Sequence, residues 1–206
     1  MGKLTVILGC MFAQKTTELL RYIRRYRSIG QSVLVVNSHR DVRYGTGQVI
    51  SHDKENAEEA RMVECLAILN DEVRSGAYDM IAIDEGQFFP DLFDYVSRWA
   101  DECPVHVVVA GLDGTFQREP FGHMLCLIPH AEEVLRLSAL CVRCADGTKA
   151  IYSKRVVRQG QEQEQEKEQA EQVGGDVHIT VEKTETVIQV GSAESYQPVC
   201  RRHYLE

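Results

Sequence analysis

A glycine, four residues, a second glycine, then Lys and Ser or Thr, set between a strand and a helix, commits a chain to one kind of local architecture. It brings backbone N–H groups and a helix N-terminus together on phosphate oxygens. Gly9-Cys10-Met11-Phe12-Ala13-Gln14-Lys15-Thr16 keeps that spacing with one exception. The segment follows the apolar run of residues 4–8 and leads into a helical pattern that begins at Thr17, Glu18, Leu19 and Leu20. The exception is Gln14, at the position where the backbone passes close to a phosphate and a left-handed conformation usually needs glycine. If φ is positive there, the side chain costs about 1–2 kcal/mol. The same residues also read as an ordinary strand-turn-helix with an incidental Gly and Lys.

The chain beyond the loop supports the first reading. Residues 32–36 form a continuous apolar run after Gly30, as in a parallel strand covered on both faces, so strand, helix and strand make a βαβ unit. Arg21, Arg24 and Arg25 give the intervening helix a basic side, which is read as solvated. A long polar loop over residues 37–53, with Asp41-Val42-Arg43-Tyr44-Gly45 and Ser51-His52-Asp53, precedes a helix expected over 58–74. Residues 78–83 then form an apolar strand that delivers Asp84 and Glu85 to its C-terminal end, the edge where open α/β sheets hold ligands. Next to a phosphate loop, the first acid suits Mg²⁺ and the second suits a general base on an attacking oxygen. After a turn and a helix over 91–102, a strand at 105–110 presents the glycine-punctuated loop 111–121 at the same edge; its Phe116 and Phe121 also suit an ordinary core.

The C-terminal part is different in kind. Cys141 with Cys144, and Cys200 with His203, are pairs with two residues between them, the spacing that clamps a tetrahedral Zn²⁺ in a Cys₃His set. Cys10, Cys65, Cys103 and Cys126 lie in the sheet region and are read as small core or loop residues. Between the pairs runs a Gln/Glu-rich insertion near 159–172, followed by a hairpin pattern over 177–190. The division is therefore an α/β core over 1–140 and a zinc-tied lobe over 141–206. A net charge of −8 disfavours a general grip on nucleic acid or an anionic membrane. With no apolar run of about 18 residues and no signal-peptide pattern, the expected location is the cytoplasm.

Taken together, residues 9–17, Asp41 to Gly45, Ser51 to Asp53, Ile83-Asp84-Glu85-Gly86-Gln87-Phe88-Phe89, Gly111-Leu112-Asp113-Gly114-Thr115-Phe116, Glu119-Pro120-Phe121-Gly122, Cys141 to Cys144, Ser153-Lys154-Arg155 and Tyr196 to Tyr204 resemble, in order, the motifs of the type II thymidine kinases. The resemblance runs nearly end to end. It implies a RecA-like phosphate-loop core with a mainly parallel sheet, a zinc-binding lasso, and transfer of the ATP γ-phosphoryl group to the 5′-hydroxyl of thymidine or deoxyuridine. It implies that Lys15 meets the donor phosphates beside Gly9, Gln14 and Thr17. Thr16 and Asp84 would hold Mg²⁺, and Glu85 would take the 5′-hydroxyl proton. Met11, Phe88, Leu112, Phe116, Phe121 and Tyr196 would line the thymine pocket, with the backbone from Val190 to Tyr196 bonding the base. A homotetramer and feedback by thymidine triphosphate are implied as well.

The departures from the family pattern are the insertion and Gln14, with Cys10 standing where the family usually has proline. They leave a second reading beside the kinase: a non-catalytic, zinc-containing subunit or regulatory domain of the same family. A RecA-like ATPase acting on nucleic acid is a third, which the negative charge opposes.

Overall fold

The structure, a computed structural model, describes residues 2–40, 48–50, 57–156 and 195–206. The loop residues 41–47 and 51–53, the Gln/Glu-rich insertion, the 177–190 hairpin pattern and Val190 lie outside the described residues.

Six strands form one sheet: β1 (Lys3–Gly9), β2 (Val33–Ser38), β5 (Arg61–Val63), β6 (Met80–Ile83), β7 (His106–Gly111) and β8 (Glu133–Leu137), in the order β5-β2-β6-β7-β1-β8. Every neighbouring pair in it is parallel. Alternation along the strands decides which helix covers which face. Leu4, Val6 and Leu8, with Leu34, Val36, Ile81, Ile83, Val107 and Val109, turn toward α2 (Asn70–Arg74) and α3 (Leu92–Glu102), where Val73, Leu92, Val96 and Trp99 meet them. Ile7, Val35, Met80, Ala82, Val108 and Ala110 turn the other way, toward Leu19, Leu20 and Ile23 of α1 (Lys15–Ser28). With both faces buried, these strands read as unbroken apolar runs. The α1 helix stops in a Schellman turn: Gly30 has φ 78°, and the N–H groups of Gln31 and Gly30 donate to Tyr26 and Arg27 carbonyls. No described helix is long and apolar enough to cross a membrane.

The helix expected over 58–74 is not present as such. The segment holds the end of β4 (Ala57–Glu59), which pairs with β3 (Gln48–Ile50), then β5, a 3₁₀ turn (Leu66–Leu69) and the short α2. The reason is long-range. Arg61 to Val63 take the open edge of β2, and the Asp91 carboxylate accepts the N–H groups of Leu66 and Ala67 at 3.0 and 2.9 Å, fixing a new start for the next turn.

The zinc-type pairs sit in a small unit made of β9 (Ala139–Leu140), β10 (Lys149–Ala150), β11 (Tyr152–Arg155), β12 (Tyr196–Val199) and α4 (Arg201–Leu205). Its apolar residues Ala139, Ala150 and Val199 pack directly on Cys10 and Ala13 of the loop after β1. The α/β phosphate-loop core and the appended Cys/His unit are thus both present.

Candidate active site

The first strand ends at Gly9, where a Cβ would stand 2.6 Å from the Leu137 carbonyl oxygen of β8; only glycine lets the chain turn away from its neighbour there. The loop then runs to Gln14, which heads α1 in the left-handed conformation (φ 62°, ψ 32°) with its side chain exposed. Phe12 is left-handed too, at φ 66°. Gln14 therefore adopts the backbone geometry that favours glycine and carries the strain of doing so. The Lys15 ammonium donates to the Cys10 carbonyl at 2.9 Å, which draws it back over the loop. Cys10 is a packed residue, as its position suggested: burial pushes its thiol up, and Sγ reaches the Ala150 carbonyl at 3.4 Å.

The strand β6 delivers Asp84 beside this loop. Thr16 Oγ1 donates to Asp84 Oδ2 at 2.9 Å, and the other carboxylate oxygen accepts the Glu85 N–H at 3.0 Å. Asp84 and Glu85 are 4% and 8% exposed, so both acids are built into the sheet edge and are not solvated ends. Glu85 is itself left-handed, φ 51° and ψ 41°, a third strained backbone position at the same edge after Phe12 and Gln14. A carboxylate and a hydroxyl in contact beside a phosphate loop form the hard oxygen donor set that suits Mg²⁺.

The residues expected around the base fall into linked groups. Phe88 and Phe121 meet edge to face with centroids 5.7 Å apart. The Leu112 N–H donates to the side-chain oxygen of Gln87, whose amide nitrogen in turn donates to Glu85. Met11 donates its N–H to Ser153 Oγ at 3.0 Å, joining the loop to β11. Phe116 lies under the Arg155 guanidinium, 5.6 Å from its ring centre, and its carbonyl accepts the Tyr204 hydroxyl at 2.8 Å. Arg155 pairs in register with Tyr196, whose phenol is buried and pushed up by that burial. Sequence reasoning left Gln87, Ser153 and Tyr204 out of the site. Their signal was only their place inside longer motifs.

Cys141, Cys144, Cys200 and His203 converge with their ligand atoms all within 4.8 Å of one another. Nδ1 of His203 lies 3.5, 3.4 and 3.5 Å from the three sulfurs, and the Cys144 and Cys200 sulfurs are 3.8 Å apart. Zn²⁺ with bonds of about 2.3 Å to sulfur and about 2.0 Å to nitrogen has tetrahedral edges of about 3.8 Å between sulfurs and about 3.5 Å from sulfur to nitrogen. The four side chains fit that ion. Desolvation opposes ionisation of Cys141, yet the N–H groups of Cys200 and Cys144 outweigh it and bring the thiol down to about 6; desolvation, with the neighbouring thiols, sends Cys144 up to about 11. Nε2 of His203 faces the Glu206 carboxylate at 3.8 Å, beyond direct hydrogen-bond reach.

Comparison with known proteins bears on what this edge does. The family model described as thymidine kinase matches residues 2–204. The chain is 36% identical over 209 residues to the thymidine kinase of variola virus (isolate Human/India/Ind3/1967), covering 100% of this chain and 98% of that protein. It is 37% identical over 208 residues to that of vaccinia virus (strain Western Reserve), with the same coverage. The thymidine kinase of monkeypox virus is 36% identical over 209 residues.

Proposed function

The chain belongs to the thymidine kinase family, and on that premise we propose how its own residues divide the transfer of the ATP γ-phosphoryl group to the 5′-hydroxyl of thymidine or deoxyuridine. Full-length similarity to named kinases favours this over a non-catalytic subunit. The observation that carries the assignment is the Thr16–Asp84 hydrogen bond at 2.9 Å, which locks the phosphate loop to the strand end bearing Glu85.

In this reading the loop N–H groups and the start of α1 receive the donor phosphates, and Lys15 leaves the Cys10 carbonyl to meet them. Gly9, Gln14 and Thr17 shape that cradle. Thr16 and Asp84 would hold Mg²⁺, which supplies charge neutralisation on the phosphates when bound. Glu85 accepts the proton of the 5′-hydroxyl as its oxygen bonds to the γ-phosphorus, and the bond from that phosphorus to the bridging oxygen breaks, leaving ADP. Positioning and electrostatics carry the step, with no covalent enzyme intermediate. Met11, Phe88, Leu112, Phe121, Phe116 and Tyr196 surround the base. Cys141, Cys144, Cys200 and His203 would hold Zn²⁺, a structural tie that keeps β11 and β12 beside the phosphate loop. Family membership also supports a cytoplasmic homotetramer inhibited by thymidine triphosphate.

The test is thymidine phosphorylation by the intact chain with Mg²⁺ and ATP, beside Glu85→Gln. Turnover lost in the variant, with ATP binding retained, supports the assignment; a variant as fast as the parent removes Glu85 from the role. Metal analysis finding much less than one zinc per chain overturns the structural tie.

A further inference from the structure

The side chain that joins the two halves of this site is a glutamine. Gln87 lies in the 3₁₀ turn after Glu85 and is 4% exposed. Its Oε1 accepts the Leu112 N–H at 3.0 Å, and its Nε2 donates to Glu85 Oε2. The orientation of the amide follows from chemistry. A backbone N–H can only donate, so the amide oxygen must face Leu112, and the nitrogen is left for the carboxylate. The surroundings admit little else. A Cβ on Gly111 would stand 2.7 Å from Gln87 Oε1, and one on Gly122 would stand 2.5 Å from the Gln87 carbonyl oxygen. Glycines on two sides thus make the space that this residue fills.

We propose that Gln87 is a positioning residue for the phosphoryl transfer, tying the carboxylate of Glu85 to the strand end at Leu112 so that proton acceptor and nucleoside pocket move as one body. The inference rests on Glu85 being the base. Glu85 stands on a left-handed backbone, at φ 51°, and so belongs to a conformation that surrounding contacts must enforce. The Gln87 carboxamide supplies one such contact to the side chain itself. It also makes glutamine chemically specific: glutamate could still accept from Leu112, but its second oxygen would face the Glu85 carboxylate and repel it.

Steady-state kinetics of the full chain with thymidine and ATP test this, using Gln87→Met, which removes both bonds at similar size, and Gln87→Glu, which keeps the Leu112 bond and loses the donor. A carboxylate displaced by a fraction of its reach lowers kcat by about 10- to 100-fold in each variant, with KM for ATP within about twofold of the parent. Gln87→Glu, which retains the backbone contact, separates positioning from packing if Gln87→Met folds poorly. Parental kcat in Gln87→Glu, or a loss confined to KM, overturns the inference while Glu85→Gln remains inactive. A Glu85→Gln variant with full kcat instead removes the base assignment, and this inference falls with it.

Discussion

At the C-terminal ends of β1 and β6 the backbone is left-handed at Phe12, Gln14 and Glu85, and the buried Asp84 bonds to Thr16. At the opposite edge, near the starts of β1, β7 and β8, Thr5, His106 and Glu133 join Tyr22 and Tyr26 of α1 in a cluster in which no residue has positive φ. Its bonds close on themselves. Thr5 donates to Glu133, so Thr5 Oγ1 accepts from Nε2–H of His106 at 2.8 Å, and Nδ1 accepts the Tyr26 hydroxyl at 2.6 Å. Tyr22 donates to the same Glu133 carboxylate, and burial and that acceptor push its phenol up to about 12. The same strands therefore carry two polar regions, one satisfied at rest and one held under backbone strain. Polarity and burial do not by themselves mark a reactive site; backbone strain is what distinguishes the edge at Gln14 and Glu85 from the other.

The widest separation of the two regions comes from Glu85→Gln, expected to lower kcat about 10²- to 10⁴-fold while leaving the urea midpoint unchanged, as assays of turnover and unfolding on one preparation will show. Acid should act in reverse, through stability. Burial and the adjacent Lys3 ammonium bring His106 down to about 4, below the ordinary value of about 6.5. The unfolded chain takes the proton first, so this contribution is intact above about pH 6.5, drains as pH falls, and is gone near pH 4. With water at the edge allowed for, about 2 kcal/mol is at stake, readable as unfolding free energy against pH and flattened in His106→Gln. Removing one hydroxyl with Tyr26→Phe should cost about 1 kcal/mol of stability and leave kcat alone. The smallest effect is expected at Gln14→Gly: relief of left-handed strain, partly offset by a freer unfolded chain, gives a gain of about 0.5–1 kcal/mol by thermal melting. A loss of stability there would show that the Gln14 side chain, not its backbone, is what the loop needs.

Much of the core was legible because both-face burial leaves continuous apolar runs, as in residues 4–8 and 105–110. The strand Glu133–Leu137 was missed for the opposite reason. It is a sheet edge in which Val134 and Arg136 are exposed, so its apolar positions never form a run. Residues 58–74 misled because Asp91, far along the chain, supplies the cap that starts the 3₁₀ turn at Leu66. At the site, the Cys/His pairs were readable from spacing, since two ligands from one turn must be close in sequence. Asp84 and Glu85 were readable from the end of an apolar strand. Gln87 was not, because its partner at Leu112 arrives from another strand.

The Cys/His knot has a further consequence. Cys144 and Cys200 are far apart along the chain, yet their sulfurs stand 3.8 Å apart, and β11 meets β12 with Arg155 opposite Tyr196. Fastening the two roots this way holds Tyr152–Arg155 against Tyr196–Val199 at the knot itself, on the segments that carry Cys144 and Cys200, so losing the four ligands would loosen both strands together.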